Sequence, residues 1–224
     1  MNLSKPLLIA AAVMAVPALP AFAQQAGTWS LSAGVTRIKP SVDSGTLTGS
    51  IPNVRVGVGN DTRVTGALNY AATDHLNLHL PLGLGFRHDV TGDGTLAGFG
   101  KVADTRALPI TLIGQYRFFE ADAKFRPYLG AGLSYVRFYK EQGSTLLTAL
   151  TNPGGPPTGV SFKSKLAPSF QLGAVYNLDE KWFVEGSYTK TLLKTRGTLS
   201  TGQTIDVVLD PNCFYERGRP RPFM

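Results

Sequence analysis

The chain is expected to be all-β, an antiparallel up-and-down barrel that crosses a membrane with its strands, and three features of the 224-residue sequence point there. Apolar residues recur at every second position, the period of a half-buried strand, and no 3.6-residue helical period competes with it. The connections between these stretches are short and long by turns, as in a meander with tight turns at one end and loops at the other. The alternating faces are also long, and apolar on one side only.

Each strand follows from its alternation. The first face reads Trp29, Leu31, Ala33, Val35, and the second Val64, Gly66, Leu68, Tyr70. The stretch HLNLHLPLGLGF at 75–86 is the longest, with Leu76, Leu78, Leu80, Leu82, Leu84 and Phe86 on one side. Its other side carries Asn77, His79, Pro81, Gly83, Gly85 and then Arg87. Residues 108–118, 129–135, 170–176 and 182–188 complete seven clear cases. Short turns are expected at 72–75, 119–125 and 177–181. Long loops are expected at 40–61, 89–106 and 143–163, where Gly, Pro, Ser and Thr dominate and no structure is assigned.

Length decides what the apolar side faces. Leu76 to Phe86 spans about 33 Å at about 3.3 Å per residue. Tilted by about 40–45°, that projects to roughly 24 Å, close to the apolar band of about 25 Å on outer-membrane barrels. A sandwich would bury this face against a second sheet, and the polar reverse face makes a poor core. Hydrocarbon is the expected neighbour, in a closed wall because lipid leaves no edge satisfied. Trp29, Tyr70, Tyr116, Tyr135, Tyr176, Trp182 and Tyr188 stand near the ends of the faces, as interfacial girdles do.

Residues 1–23 read differently. A positive start (Lys5), an apolar run over 7–19 and the small residues Ala21 and Ala23 make a secretory signal with cleavage after Ala23, which leaves residues 24–224 as one barrel domain. A membrane anchor needs about 20 apolar residues, and this run is shorter and holds Pro17 and Pro20.

Other classes of function find little support. The 22 Lys and Arg against 15 Asp and Glu are scattered singly, which argues against nucleic-acid binding. Cys213, the single cysteine, closes no internal disulfide. His75 and His79 would lie about 13 Å apart on a strand, too far to share an ion, and neither metal nor cofactor is expected. No nucleophile elbow or dinucleotide fingerprint occurs, and Glu185 has no partner carboxylate that the sequence places, so no enzymatic activity is expected.

Four segments resemble the OmpW family of small outer-membrane barrels: ATDHLNLHLPLGLGFRHDV at 72–90, GKVADTRALPITLIGQYRF at 100–118, FRPYLGAGLSYVRF at 125–138 and LDP at 209–211. The resemblance implies an eight-stranded barrel in the bacterial outer membrane, inserted by the barrel-assembly machinery. It also implies a narrow channel for small hydrophobic molecules, with sideways exit through the wall as one route. Eight strands enclose a space just wide enough to be filled by side chains. With the polar faces inward, Asn77, His79, Arg87, Gln115, Arg117 and Glu185 line or plug the lumen. Ile113, Val136, Phe138 and Val175 fall in the same phase and form an apolar path or filling. A structural or adhesive barrel acting through its long loops is the alternative.

The last strand departs from the family pattern. After Ile205, Val207 and Leu209 the chain reads DPNCFYERGRPRPFM, without alternation and with Pro211, Pro220 and Pro222. Proline cannot donate to a ladder, so a closing strand here is expected to be crippled. For one permitted codon choice, reading one base later from Asn212 restores alternation, which makes the gene end the place to resequence.

Overall fold

The computed structural model describes residues 26–49, 53–178 and 182–223, of which 217–223 by backbone alone; the signal segment expected at 1–23 lies outside them. The described residues form, in order, β1 (Trp29–Lys39), β2 (Asp43–Ser44), β3 (Val54–Val58), β4 (Asp61–Ala71), β5 (Leu76–Leu82), β6 (Phe86–Gly94), β7 (Lys101–Arg117), β8 (Phe125–Gly143), α1 (Thr145–Thr151), β9 (Val160–Phe162), β10 (Lys165–Asn177), β11 (Phe183–Thr191), β12 (Lys194–Leu199), β13 (Thr204–Val208) and β14 (Asn212–Phe223).

The barrel closes through antiparallel neighbours throughout. β1 pairs β4, β4 pairs β5, and β5 and β6 both pair β7; β7 then pairs β8, β8 pairs β10, β10 pairs β11, and β14 joins β11 back to β1. Since β5 and β6 share one place in the wall, the barrel has eight strands. Alternation builds it: on β11, Phe183, Glu185, Ser187, Thr189 and Thr191 point inward while Val184 and Lys190 point out. The outward aliphatics form a belt, with Leu112, Leu129, Leu133 and Leu172 all more than half exposed. Water would penalise such a continuous apolar surface by about 25 cal/mol per Å², and hydrocarbon removes the penalty.

Trp29 and Tyr70 pack at 4.7 Å, and Tyr116 and Phe118 at 5.2 Å, at the short-turn end, where Tyr176 and Trp182 also lie. Tyr135 and Tyr188 bound the belt nearer the loops, Tyr188 against Phe214 at 5.3 Å.

Three expectations are corrected. The leucine stretch is not one strand: β5 ends at Leu82 and β6 starts at Phe86. From His79 to Phe86 are seven steps, opposite six on β7 from Ile113 to Ala107. One extra residue reverses the side-chain phase. Leu76, Leu78 and Leu82 face out, yet Phe86 is buried inside, and Arg87, expected in the lumen, faces outward.

The long loops, second, hold regular structure. β2, β13, β12 and β9 form a separate four-stranded sheet at the loop end. Helix α1 lies there too, capped by Ser144, whose hydroxyl accepts from the Leu147 amide. Val54, Val90, Leu96, Val102 and Ala103 make a small core beneath them.

Finally, β14 closes the barrel after all. Its ladder with β1 runs from Lys39 opposite Asn212 to Trp29 opposite Phe223. Two features absorb the prolines. β11 stops pairing at Val184 opposite Gly218, so among the described residues the stretch beyond has a neighbour on one side only. The β1 ladder also steps by two residues from Leu31 to Ala33 while β14 steps by three, a bulge that contains Pro220.

Close strand packing makes Gly132 indispensable. A Cβ there would fall on the Leu112 carbonyl oxygen and within 2.7 Å of Ile113 Cα, both backbone atoms that cannot swing aside. Gly132→Ala is expected to lower stability by about 1–3 kcal/mol through overpacking, read as a lower denaturant midpoint on refolded protein with an unchanged slope.

Candidate functional site

The lumen has two storeys. The one nearer the short turns is a polar floor. Gln115 is its hub: its Nε2 donates to Gln171 Oε1 (2.7 Å), while its Oε1 accepts from Asn77 Nδ2 (2.8 Å) and from Arg117 Nη2 (3.4 Å). His79, fully buried, pairs through Nδ1 with Asn69 Oδ1 at 2.6 Å. The Tyr128 hydroxyl donates to Glu185 Oε1 at 2.5 Å. Arg126, also fully buried, donates to the Asp74 and Phe119 carbonyls and ties two short turns to the floor. Above these runs a hydroxyl layer across four strands: Thr111 with Ser134 (2.7 Å), Ser134 with Ser169 (2.6 Å), Ser169 with Thr191 (2.8 Å). Buried polar groups are costly without partners, and here they partner one another.

The loopward storey is apolar. Ile38, Val90, Val136, Phe138, Leu193 and Tyr215 are among the residues around a cavity of about 70 Å³. Two hydroxyls in its wall, Thr105 Oγ1 and Thr189 Oγ1, are buried and make no hydrogen bond among the described residues. The roof is the loop-end sheet, where Phe138 and Phe162 meet at 5.6 Å. Burial pushes the Glu141 carboxyl up, although the Phe162 amide donates to its Oε1. On the outer side Arg196 forks onto Asp206 (2.7 and 3.0 Å), which holds that carboxyl below its ordinary value.

The wall beside this cavity is incomplete. β4 pairs β5 only as far as Gly66 opposite Leu82, and the β3 ladder on β6 resumes at Val58 opposite Val90. Between them the Gly59 amide donates to Asp89 O (2.9 Å) and the Arg87 amide to the Asp61 side chain (2.7 Å). On the other flank no register pair joins residues 80–85 to β7. The chain here carries Pro81, Gly83 and Gly85, residues that weaken a ladder.

The structure therefore gathers Asn77, His79, Gln115, Arg117 and Glu185 in the floor and leaves Arg87 outside. The four apolar positions separate. Val136 and Phe138 line the cavity, whereas Ile113 is buried at floor level and Val175 packs with Tyr128 and Phe183 near the short turns. Arg126, Tyr128 and Gln171 were legible in principle, since they sit in the inward phase of their strands. Leu193, between β11 and β12, was not, and Val207 and Leu209, although they alternate, read as the approach to the last strand rather than as cavity lining.

Residues 25–216 match the OmpW family. Outer membrane protein W of Escherichia coli (strain K12) is 32% identical over 217 residues, covering 94% of this chain and 96% of that protein. The protein of the same name from Vibrio cholerae is 30% identical over 216 residues, covering 93% and 94%. The dibenzothiophene metabolism operon protein PahQ of Pseudomonas aeruginosa is 27% identical over 201 residues, covering 87% and 88%. Among solved structures, the outer membrane protein OprG from Pseudomonas aeruginosa superposes with a TM-score of 0.78 at 22% identity, over 88% of this chain and 98% of that one. With the fold and the sequence in agreement, this chain belongs to the OmpW family and resides as a closed eight-stranded barrel in the bacterial outer membrane.

Proposed function

We propose that the protein is a narrow channel for passive uptake of small hydrophobic molecules, which enter the apolar storey from the loop end and leave sideways into the hydrocarbon past residues 80–85. One observation carries this reading: an apolar cavity rests on a hydrogen-bonded floor and is lined by Pro109 and Thr111, on the stretch of β7 that no register pair joins to residues 80–85. An apolar solute moving straight down would break floor bonds and strand polar groups at about 1–3 kcal/mol each. Sideways movement breaks none of them and ends in a medium the solute prefers. The operon that names PahQ concerns dibenzothiophene, an almost wholly apolar compound, and this supports the same solute class.

The test is flux into liposomes carrying refolded protein, over solutes of similar size graded in polarity. Apolar members are expected to enter faster than into protein-free liposomes and polar members at the same rate. Equal rates for the apolar members would refute the channel.

The regular loop-end sheet favours a second reading, a non-transporting barrel that binds a partner through its loops. Deleting the β12–β13 hairpin separates the two, since only under the second reading does the cellular phenotype vanish while liposome flux persists.

A further inference from the structure

The outer surface at the loopward border of the apolar belt carries three arginines on three adjacent strands. On the β5–β6 strand the outward series Leu76, Leu78, Leu82, Leu84 ends in Arg87. On β7 the series Tyr116, Leu112, Ile110, Leu108 ends in Arg106, and on β8 Leu129, Leu133, Tyr135 ends in Arg137. Arg87 and Arg106 are direct cross-strand partners. Arg137 lies opposite Leu108, one outward step diagonally from Arg106.

Like charges directly opposite each other on a sheet are destabilising, so an uncompensated pair asks for an anion. One step further toward the loops the same strands repeat the problem with opposite sign and solve it internally. Asp89 and Asp104 are partners too, and Lys101 bridges them at 2.8 and 3.1 Å. The arginines have no such bridge: among the described residues none of the three guanidiniums pairs with a carboxylate. Tyr139, the β8 partner of Arg106, lays its ring over Gly85, two residues before Arg87. The opposite end of the barrel has the reverse character, with Asp74, Glu120 and Asp122 exposed and Lys124 beside them.

Where this patch sits decides which anion fits. A ligand there has its anionic group at the height where the belt ends and its remainder against exposed leucines. We propose that Arg87, Arg106 and Arg137 form a binding site for the phosphate of an acylated, phosphorylated headgroup in the outer leaflet, with the acyl chains lying along the leucine faces of β5, β7 and β8. Guanidiniums suit this role because their planar forks grip phosphate bidentately.

The experiment titrates refolded full-length protein in neutral detergent with a diphosphorylated glucosamine-disaccharide lipid, with its dephosphorylated form, and with inorganic phosphate alone. Wild-type protein is expected to prefer the phosphorylated lipid, and the triple variant Arg87→Gln, Arg106→Gln, Arg137→Gln to bind it at least about tenfold more weakly, each lost charge-assisted contact being strong. Arg106→Gln alone, at the centre of the patch, keeps the test open should the triple variant not refold, and it is expected to weaken binding measurably. Arg196→Gln, in the pair with Asp206, is expected to leave binding unchanged. Equal affinity for the two lipids, or an unaltered affinity in both patch variants, overturns the proposal. So does complete displacement of the lipid by inorganic phosphate at matching concentration, which would assign the patch to free phosphate instead.

Discussion

Flux of apolar solutes is expected to fall to the rate of protein-free liposomes when Thr65→Cys and Gly83→Cys are oxidised to a disulfide, and to return on reduction. The geometry invites this bridge, because a Cβ built on Gly83 lies 3.6 Å from Thr65 Cβ, inside the span of about 3.5–4.5 Å that disulfides require. It would fasten β4 to the chain at the first missing rung beyond Gly66 and Leu82. Cys213 is replaced by Ala in the same protein so that no other thiol competes; it is buried against Ile38, Phe86 and Tyr215 and forms no disulfide. Thr65→Cys also removes the Thr36 hydroxyl contact at 2.5 Å, so the reduced double variant is the reference for flux. If oxidised and reduced protein conduct alike, the solute does not leave through this part of the wall.

Gln115→Leu is expected to be the most damaging substitution in the floor. It removes three hydrogen bonds at once and leaves Asn77 Nδ2 and Gln171 Oε1 facing an aliphatic side chain. Each buried polar group left alone costs about 1–3 kcal/mol, so the total reaches roughly 3–5 kcal/mol, a large fraction of a small domain's stability. The measurement is the denaturant midpoint of the refolded protein in detergent. Gln115→Glu, which keeps the oxygen that accepts from Asn77 and Arg117 but cannot donate to Gln171, should fall between wild type and Gln115→Leu. A midpoint unmoved by Gln115→Leu would mean that the floor is held by backbone pairing alone.

How far the sequence foretold this molecule differs from place to place. Regular alternation on β1, β4, β7, β8, β10 and β11 revealed the wall, the inward polar set and the aromatic belts, because a two-residue period translates directly into two faces. That rule fails wherever the period slips. Leu84 and Phe86 read as consecutive lipid-facing residues, and a single inserted residue against β7 placed them on opposite sides, taking Arg87 out of the lumen. Nothing in a run of leucines announces such a slip; only the Pro81, Gly83 and Gly85 spacing hints at it. The apolar storey was half legible. Val136 and Phe138 came from phase, but Leu193 stands between two strands, and Val207 and Leu209, which do alternate, belong with the separate loop-end sheet and not with the closing strand to which their alternation points. The closing strand was misjudged because proline is harmful in proportion to how many neighbours a strand has, and among the described residues β14 is flanked on one side only where Pro220 and Pro222 lie.

The size of the upper cavity has a kinetic consequence. Its 70 Å³ is about half of the roughly 150 Å³ hollow that accommodates a benzene molecule in a protein interior. Any guest as large as a fused aromatic must therefore part the ring contact between Phe138 and Phe162 before it fits. Passage through the proposed route is then an activated event, governed by how often that contact breathes. Throughput would climb steeply on warming and decline with the girth of the guest, and between guests the bore stays shut.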